Sequence, residues 1–217
     1  MDPSCIKGLY AIADSAFNPC ETLPELVLKF LIGGCKVIQL RMKKKGIPPR
    51  PWDDDVFDVA KEVIKFKRQH DFALIINDCV DVAAELQSDG VHVGKNDMPV
   101  AEIRRRTGNR LLIGYSSHSF DEAVRAEKEG ADYVALGAIY PTKTKGAGHP
   151  IVGVEMLRNV AKTLKVPVVA IGGINRENYK NVFEAGACAA AMITALTNVK
   201  DIVAETKWFV ENQPQRH

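Results

Sequence analysis

Strand-like apolar runs alternating with helix-like periodic runs predict an α/β protein, a single-domain (β/α)8 TIM barrel. Three observations carry this prediction. The alternation repeats eight times, no linker or shift of composition interrupts it, and 217 residues is close to the length that one such barrel occupies. Strands separated by helices in this way pair in parallel through right-handed crossovers. An open doubly wound sheet is the other architecture that the same alternation allows. Residues 1–217 are expected to form one barrel domain, with 1–7 and 212–217 as flexible termini.

Taken in order, Leu9 to Ala13 is the first strand, followed by an amphipathic stretch from Leu23 to Ile32 that stops at Gly33-Gly34. Val37 to Leu40 is the second strand. A helix is predicted from Asp53 to Gln69, with Val56, Val59, Ala60, Val63, Ile64 and Lys67 at three- and four-residue spacing. Strand three, Ala73 to Ile76, precedes a short helix at Val80 to Leu86. Strand four, Val91 to Val93, precedes a basic helix from Val100 to Arg106 that ends near Gly108. Strand five is Leu111 to Ser116, and its helix runs from Phe120 to Glu129 before Gly130. Tyr133 to Leu136, then Val154 to Leu164, make the sixth unit. Val166 to Ile171 with Arg176 to Ala185, and Ala187 to Ile193 with Lys200 to Glu211, complete the series.

Composition narrows the function classes. Hydrophobic residues make up 46% and charged residues 26%, an ordinary globular balance. A net charge of +2 is too small to argue for nucleic acid or a membrane surface. No apolar stretch approaches the roughly 20 residues of a membrane helix, and the first residues lack the regions of a signal peptide. A cytoplasmic protein is expected. Cys5, Cys20, Cys35, Cys79 and Cys188 are scattered without a CxxC spacing, so neither zinc nor a disulfide framework is expected. Cys79 lies beside the candidate metal site and is read as a bystander.

The chemistry lies at the strand exits, where barrel active sites are built. Strand three stops on Asn77-Asp78, and strand four runs through Gly94-Lys95-Asn96 to Asp97. Carboxylates at two neighbouring exits suit a magnesium ion that also holds substrate phosphates. Strand two ends Gln39-Leu40-Arg41-Met42-Lys43, and alternation turns Gln39, Arg41 and Lys43 to one side. Polar and cationic groups facing inward are costly unless they bind something anionic. Strand six leads into Thr142-Lys143-Thr144-Lys145-Gly146, hydroxyls and ammonium groups suited to wrapping an oxyanion. The exits of strands seven and eight, Gly172-Gly173 and Ile193-Thr194, fall where many barrels bind a phosphate. Ser116 can hydrogen-bond a substrate heterocycle. His118 reads equally as a general base or as an N-terminal helix residue, and His92 as a satisfied core histidine. Asp81 and Asp89 look like helix and turn residues, and Lys36 with Arg104 to Arg106 like surface charge. The long connections 44–52 and 140–153 read as lids or binding loops.

In order, QLRMK (39–43), IND (76–78), GVHVGKND (90–97), GYSSH (114–118), YPTKTK (140–145), IGGI (171–174) and MIT (192–194) resemble the thiamine phosphate synthase family. The resemblance runs from about residue 8 to residue 195. It implies a barrel that joins 4-amino-5-hydroxymethyl-2-methylpyrimidine pyrophosphate to a thiazole phosphate and releases pyrophosphate. It implies Mg2+ held by Asp78 and Asp97. Gln39, Arg41, Lys43, Asn77, Thr142, Thr144 and Lys145 match groups around the pyrimidine pyrophosphate, with Arg41 and Lys145 meeting the leaving charge. Ser116 matches a contact to the pyrimidine, completing a catalytic set of Arg41, Lys145 and Ser116. Gly173, Ile193 and Thr194 match the thiazole phosphate pocket. The expected partners are these small molecules, with neither nucleic acid nor membrane, and a homo-oligomer stays open. Where many family members read Gly-Gln-Glu-Asp, this chain has Gly94-Lys95-Asn96-Asp97, which sets an ammonium next to the metal site. The rival functions are a thiazole tautomerase with His118 as acid/base, a Schiff-base aldolase using Lys143 or Lys145, and a non-catalytic phosphate-ligand sensor.

Overall fold

A β-strand shows alternate side chains to opposite faces, so each apolar run of this chain can feed two cores at once. The structure, a computed structural model, describes residues 2–17, 22–43, 46, 50–142 and 150–214. The strands are β1 (Gly8–Asp14), β2 (Val37–Arg41), β3 (Ala73–Asn77), β4 (Gly90–Val93), β5 (Leu112–Ser117), β6 (Tyr133–Gly137), β7 (Val168–Ile171) and β8 (Ala189–Met192). They close into a parallel barrel in chain order, and β1 seals against β8 with Gly8 opposite Ala189. Closure excludes the open doubly wound sheet.

The helices are α1 (Leu23–Ile32), α2 (Asp54–Val63), α3 (Val80–Glu85), α4 (Val100–Thr107), α5 (Phe120–Lys128), α6 (Gly153–Thr163), α7 (Tyr179–Glu184), α8 (Thr194–Thr197) and α9 (Ile202–Glu211). One residue parity in each strand packs under these helices: Leu9, Ala11, Ile38, Leu40, Leu74, Ile76, Val91, Val93 and their equivalents are buried there. The other parity fills the barrel lumen, where Tyr10, Ile12, Val37, Ile75, Leu112, Tyr133, Ala135, Val169, Ala189 and Ala191 form a second cluster. Capping fixes several helix starts. Thr22 and Glu25 make a reciprocal capping box for α1, and Asp53, Ser119 and Asp201 cap α2, α5 and α9.

Some boundaries differ from the sequence reading for identifiable reasons. The helix expected over 53–69 is α2 followed by a 3-10 stretch, Ile64–Arg68. Lys67 leaves the helical pattern to pair with buried Asp89 and to donate to the Phe72 carbonyl. Asp89 in turn accepts the Leu74 N–H, so it ties β3 and β4 together at the base of the barrel. The helix expected from Arg176 begins at Tyr179, because Asn175 and Asn178 side chains hold backbone N–H groups in a turn. Strand seven begins at Val168 because the Lys165 and Val166 N–H groups donate to Glu127 and Pro167 has none to give. The N-terminal segment expected to be flexible carries a 3-10 turn, Pro3–Cys5, capped by Asp2, and Ile6 is 1% exposed within the lumen cluster. Arg104 is not plain surface charge, since it donates to the Gly130 carbonyl and the Asp132 carboxylate.

Candidate active site

Because parallel strands all point one way, their last inward residues share one rim. A cleft of about 1020 Å³ opens there. Its walls include Asp14, Gln39, Arg41, Lys43, Asn77, Asp78, His92, Asp97, Ser116 and His118, and small or apolar residues such as Ala135, Val169 and Ala191 make its floor. The inward exits of β1 to β5 thus converge as alternation requires.

Asp78 follows β3 with a positive φ of 63° and is only 8% exposed. Lys43 Nζ lies 3.0 Å from its Oδ2. Burial and the neighbouring Asp97 carboxylate nevertheless push the Asp78 carboxyl up to about 6, against the pull of Lys43. Asp97 Oδ2 accepts the Gly94 N–H at 2.7 Å, while its buried Oδ1 has no hydrogen-bond partner among the described residues. Two carboxylates crowd each other here, and one oxygen is left without a donor. A divalent cation relieves both conditions, so the donor set fits a hard, oxygen-seeking metal ion held by two carboxylates. No group of three or more His, Cys, Asp or Glu suited to a metal occurs among the described residues, which separates this site from an all-protein metal cage. Cys79 is buried beside it and Lys95 is exposed on the rim.

Arg41 is aimed by a residue that the sequence reading passed over. Asp14 ends β1 directly opposite Arg41 in the barrel register, is 1% exposed, and forms an ion pair with the guanidinium. Its other oxygen accepts the Ala16 N–H at 2.9 Å. A buried carboxylate in this position holds the guanidinium over the cleft. The signal was available: Asp14 is a charged residue at a strand exit, as Asp78 and Asp97 are. Gln39, on β2, donates to the buried Tyr10 hydroxyl, and Ser116, on β5, pairs with the ring of buried His92. His118 has its ring Nδ1 2.5 Å from the Gly137 carbonyl, to which it donates, and Ser119 rather than His118 caps α5.

A smaller cavity of about 80 Å³ adjoins the cleft and shares Ile171, Ala191, Ile193 and His118 with it. Gly172, Gly173, Thr142, Ile193 and Thr194 line it. Thr142, which the resemblance matched to the pyrimidine pyrophosphate groups, lines this smaller cavity. The four-residue α8, unforeseen in the sequence, begins at Thr194 beside this cavity. Gly173 has φ +68°, and a Cβ there would meet the Pro141 carbonyl oxygen at 2.5 Å, so only glycine fits. Asn178, also passed over, donates to the Gly173 carbonyl at 3.0 Å and pins the loop. Lys143, Thr144 and Lys145 lie outside the described residues, as do Lys44 and Lys45.

Comparison with known proteins gives a consistent result. A family model described as thiamine monophosphate synthase matches residues 9–196. The chain is 37% identical over 204 residues to the thiamine-phosphate synthase of Methanospirillum hungatei, covering 94% of this chain and 96% of that protein. It is 38% identical over 199 residues to that of Pyrococcus furiosus, covering 92% and 91%. A solved structure of the Pyrococcus furiosus thiamine phosphate pyrophosphorylase superposes with a TM-score of 0.82 at 34% identity, over 96% of this chain and 97% of that one. An N-acetylmannosamine-6-phosphate 2-epimerase from Clostridium perfringens, at 20% identity and a TM-score of 0.65, shares the fold alone.

Proposed function

The chain belongs to the thiamine monophosphate synthase family, and from that premise we propose how its own residues divide the work of the reaction. The enzyme is a transferase that condenses pyrimidine and thiazole moieties into thiamine phosphate. The substrates in this proposal are 4-amino-5-hydroxymethyl-2-methylpyrimidine pyrophosphate and the thiazole phosphate. The amino group feeds electron density through the ring toward the methylene carbon. The C–O bond then breaks with its electron pair leaving on pyrophosphate, and a carbocation-like centre forms. The lone pair of the thiazole nitrogen makes the new C–N bond. No strong general base is needed, so the protein has mainly to hold the two reactants in line and to stabilise the departing charge.

A metal serves catalysis in this family, and we assign it as magnesium held by Asp78 and Asp97. Bound there, the ion supplies Lewis acidity toward the pyrophosphate oxygens. Arg41, braced by Asp14, presents a rigid fork of donors to the same leaving group. Lys43 is 42% exposed at its side chain, so its ammonium is free to move between Asp78 and a pyrophosphate oxygen. Asn77 and Gln39 complete the polar lining, and Ser116 contacts the pyrimidine. Thr144 and Lys145 are assigned to the pyrophosphate on the resemblance alone. Gly173, Ile193 and Thr194, with Thr142, line the cavity assigned to the thiazole phosphate.

The observation that carries this reading is the crowding of Asp78 and Asp97 near neighbouring strand exits, with one carboxylate oxygen lacking a donor among the described residues. Both substrates are mixed with enzyme with and without magnesium, and thiamine phosphate is quantified by its fluorescent oxidation product. Product is expected only with the divalent cation. An undiminished rate in chelated buffer, or in Asp78→Asn with magnesium, would remove the metal assignment.

A further inference from the structure

Five side chains from five strands form one hydrogen-bonded chain across the lumen beneath the cleft. Gln39 Nε2 donates to Tyr10 Oη at 2.9 Å. The Tyr10 and Tyr133 hydroxyls lie 2.8 Å apart. Tyr133 Oη is 3.1 Å from His92 Nδ1, and His92 Nε2 is 2.8 Å from Ser116 Oγ. Tyr10 and Tyr133 are each no more than 1% exposed, and burial raises both phenols, so both keep their protons. The backbone makes room for this chain at one position. Gly114 is the inward residue of β5 beside it, and a Cβ there would fall 2.1 Å from Tyr133 Cζ and 2.4 Å from His92 Nδ1.

Proton counting gives the chain a direction. Each hydroxyl owns one proton, so a donor entering at one end passes the same sense down the line. The Gln39 amide occupies an acceptor site on Tyr10, which leaves the Tyr10 proton for Tyr133. The Tyr133 proton then goes to His92 Nδ1. His92 Nδ1 is an acceptor, its Nε2 carries the hydrogen, and that hydrogen goes to Ser116. With its oxygen accepting from His92, Ser116 has its own proton left for the cleft.

We infer that Gln39, Tyr10, Tyr133 and His92 are positioning residues that lock His92 as the Nε2–H tautomer and oblige Ser116 to act as a hydrogen-bond donor. The substrate atom at Ser116 must then carry a lone pair, as an unprotonated pyrimidine ring nitrogen does, and not an N–H. This deepens the assignment of Ser116 to the pyrimidine and rests on it. A reversed chain would make Ser116 an acceptor and select the exocyclic amino group instead.

The test reads the tautomer first, with no dependence on turnover. The full-length enzyme is labelled with 15N-histidine, and two-bond 15N–1H correlations are recorded, with His92 assigned by its loss in His92→Gln. The expected pattern is a protonated Nε2 and an unprotonated Nδ1. A protonated Nδ1 in the wild type overturns the inference even if the enzyme makes thiamine phosphate normally. Tyr10→Phe keeps the ring and removes one link of the chain, a hydroxyl on a residue only 1% exposed. It is expected to mix the two His92 tautomers and to lower kcat about tenfold, the loss of roughly one hydrogen bond, with KM for the thiazole phosphate unchanged. An unaltered His92 spectrum and unaltered kcat in a folded Tyr10→Phe would also overturn it. If Tyr10→Phe fails to fold, the wild-type spectrum still decides. Absence of thiamine phosphate synthesis by the wild type would instead count against the family reaction and leave the tautomer result standing.

Discussion

Replacing Asp78 by Asn should stabilise the metal-free protein while abolishing its chemistry. The Asp78 carboxyl is raised from 3.8 to about 6 by burial and by Asp97. Each pH unit between the two values is worth about 1.4 kcal/mol, so an ionised Asp78 costs the folded state about 3 kcal/mol. Asp78 is 8% exposed, so solvent screening removes little of this. The sign follows from the order of the two values. The folded carboxyl titrates above the unfolded one, so the penalty is nearly absent below 3.8, grows as pH rises, and is complete above about 6. Asn is the informative replacement because residue 78 has φ 63°, a conformation that Asn tolerates and Ala resists. Urea unfolding in the presence of chelator should give Asp78→Asn a stability within about 0.5 kcal/mol of the wild type near pH 4, and an advantage of about 3 kcal/mol near pH 7.5. Magnesium should raise the wild-type midpoint near pH 7.5 and leave that of Asp78→Asn unmoved. Stability curves that run parallel across this pH range would refute the reasoning, because crowding of the two carboxylates would then carry no cost.

Three further outcomes follow from the same geometry. Arg41→Ala should slow single-turnover pyrophosphate departure by about 3 kcal/mol, the typical worth of a preorganised charge-stabilising donor; an unchanged burst rate would contradict that role. Asp14→Asn removes the buried anchor of Arg41, so rapid-quench kinetics should show roughly a tenfold slower chemical step with thiazole phosphate KM unaffected, and a normal step would mean Arg41 holds its place unaided. Gly173→Ala forces a Cβ against the Pro141 carbonyl oxygen, so the thiazole phosphate KM should rise at least about tenfold with pyrimidine KM little changed; equal KM values measured by steady-state kinetics would detach that loop from the thiazole subsite.

Much of the site was legible because strand exits are local features. The run QLRMK announces by period-two alternation which of its residues face the lumen, and Gln39 does point inward while Leu40 packs under the helices. Asp78, Asp97 and Gly173 were read instead from their place at or just beyond strand ends. Asp14 ends a strand too, but its value depends on Arg41 being its neighbour in the barrel register. Tyr10 and Tyr133 read as apolar strand residues, and nothing near them in the chain marks their hydroxyls as links in a buried network. Helix α8 has four residues and no room for a periodic pattern, so tertiary packing against the barrel rim had to reveal it. Thr142, matched by resemblance to the pyrimidine pyrophosphate groups, lines the smaller cavity beside Gly173 and Thr194, a placement that no local pattern announces.

The amino-acid order by itself determined the eightfold alternation, the inward parity of each strand and the family, since all three reside in short-range pattern and motif. Only closure of the barrel decided which groups would share a charge or a proton. Asp14 and Arg41 are 27 residues apart, His92 and Tyr133 are 41, and Tyr10 and Tyr133 are 123. Such pairs form because a buried polar group must find a partner once water is excluded, and although a strand-end charge can be read from the chain, the partner it meets in space cannot.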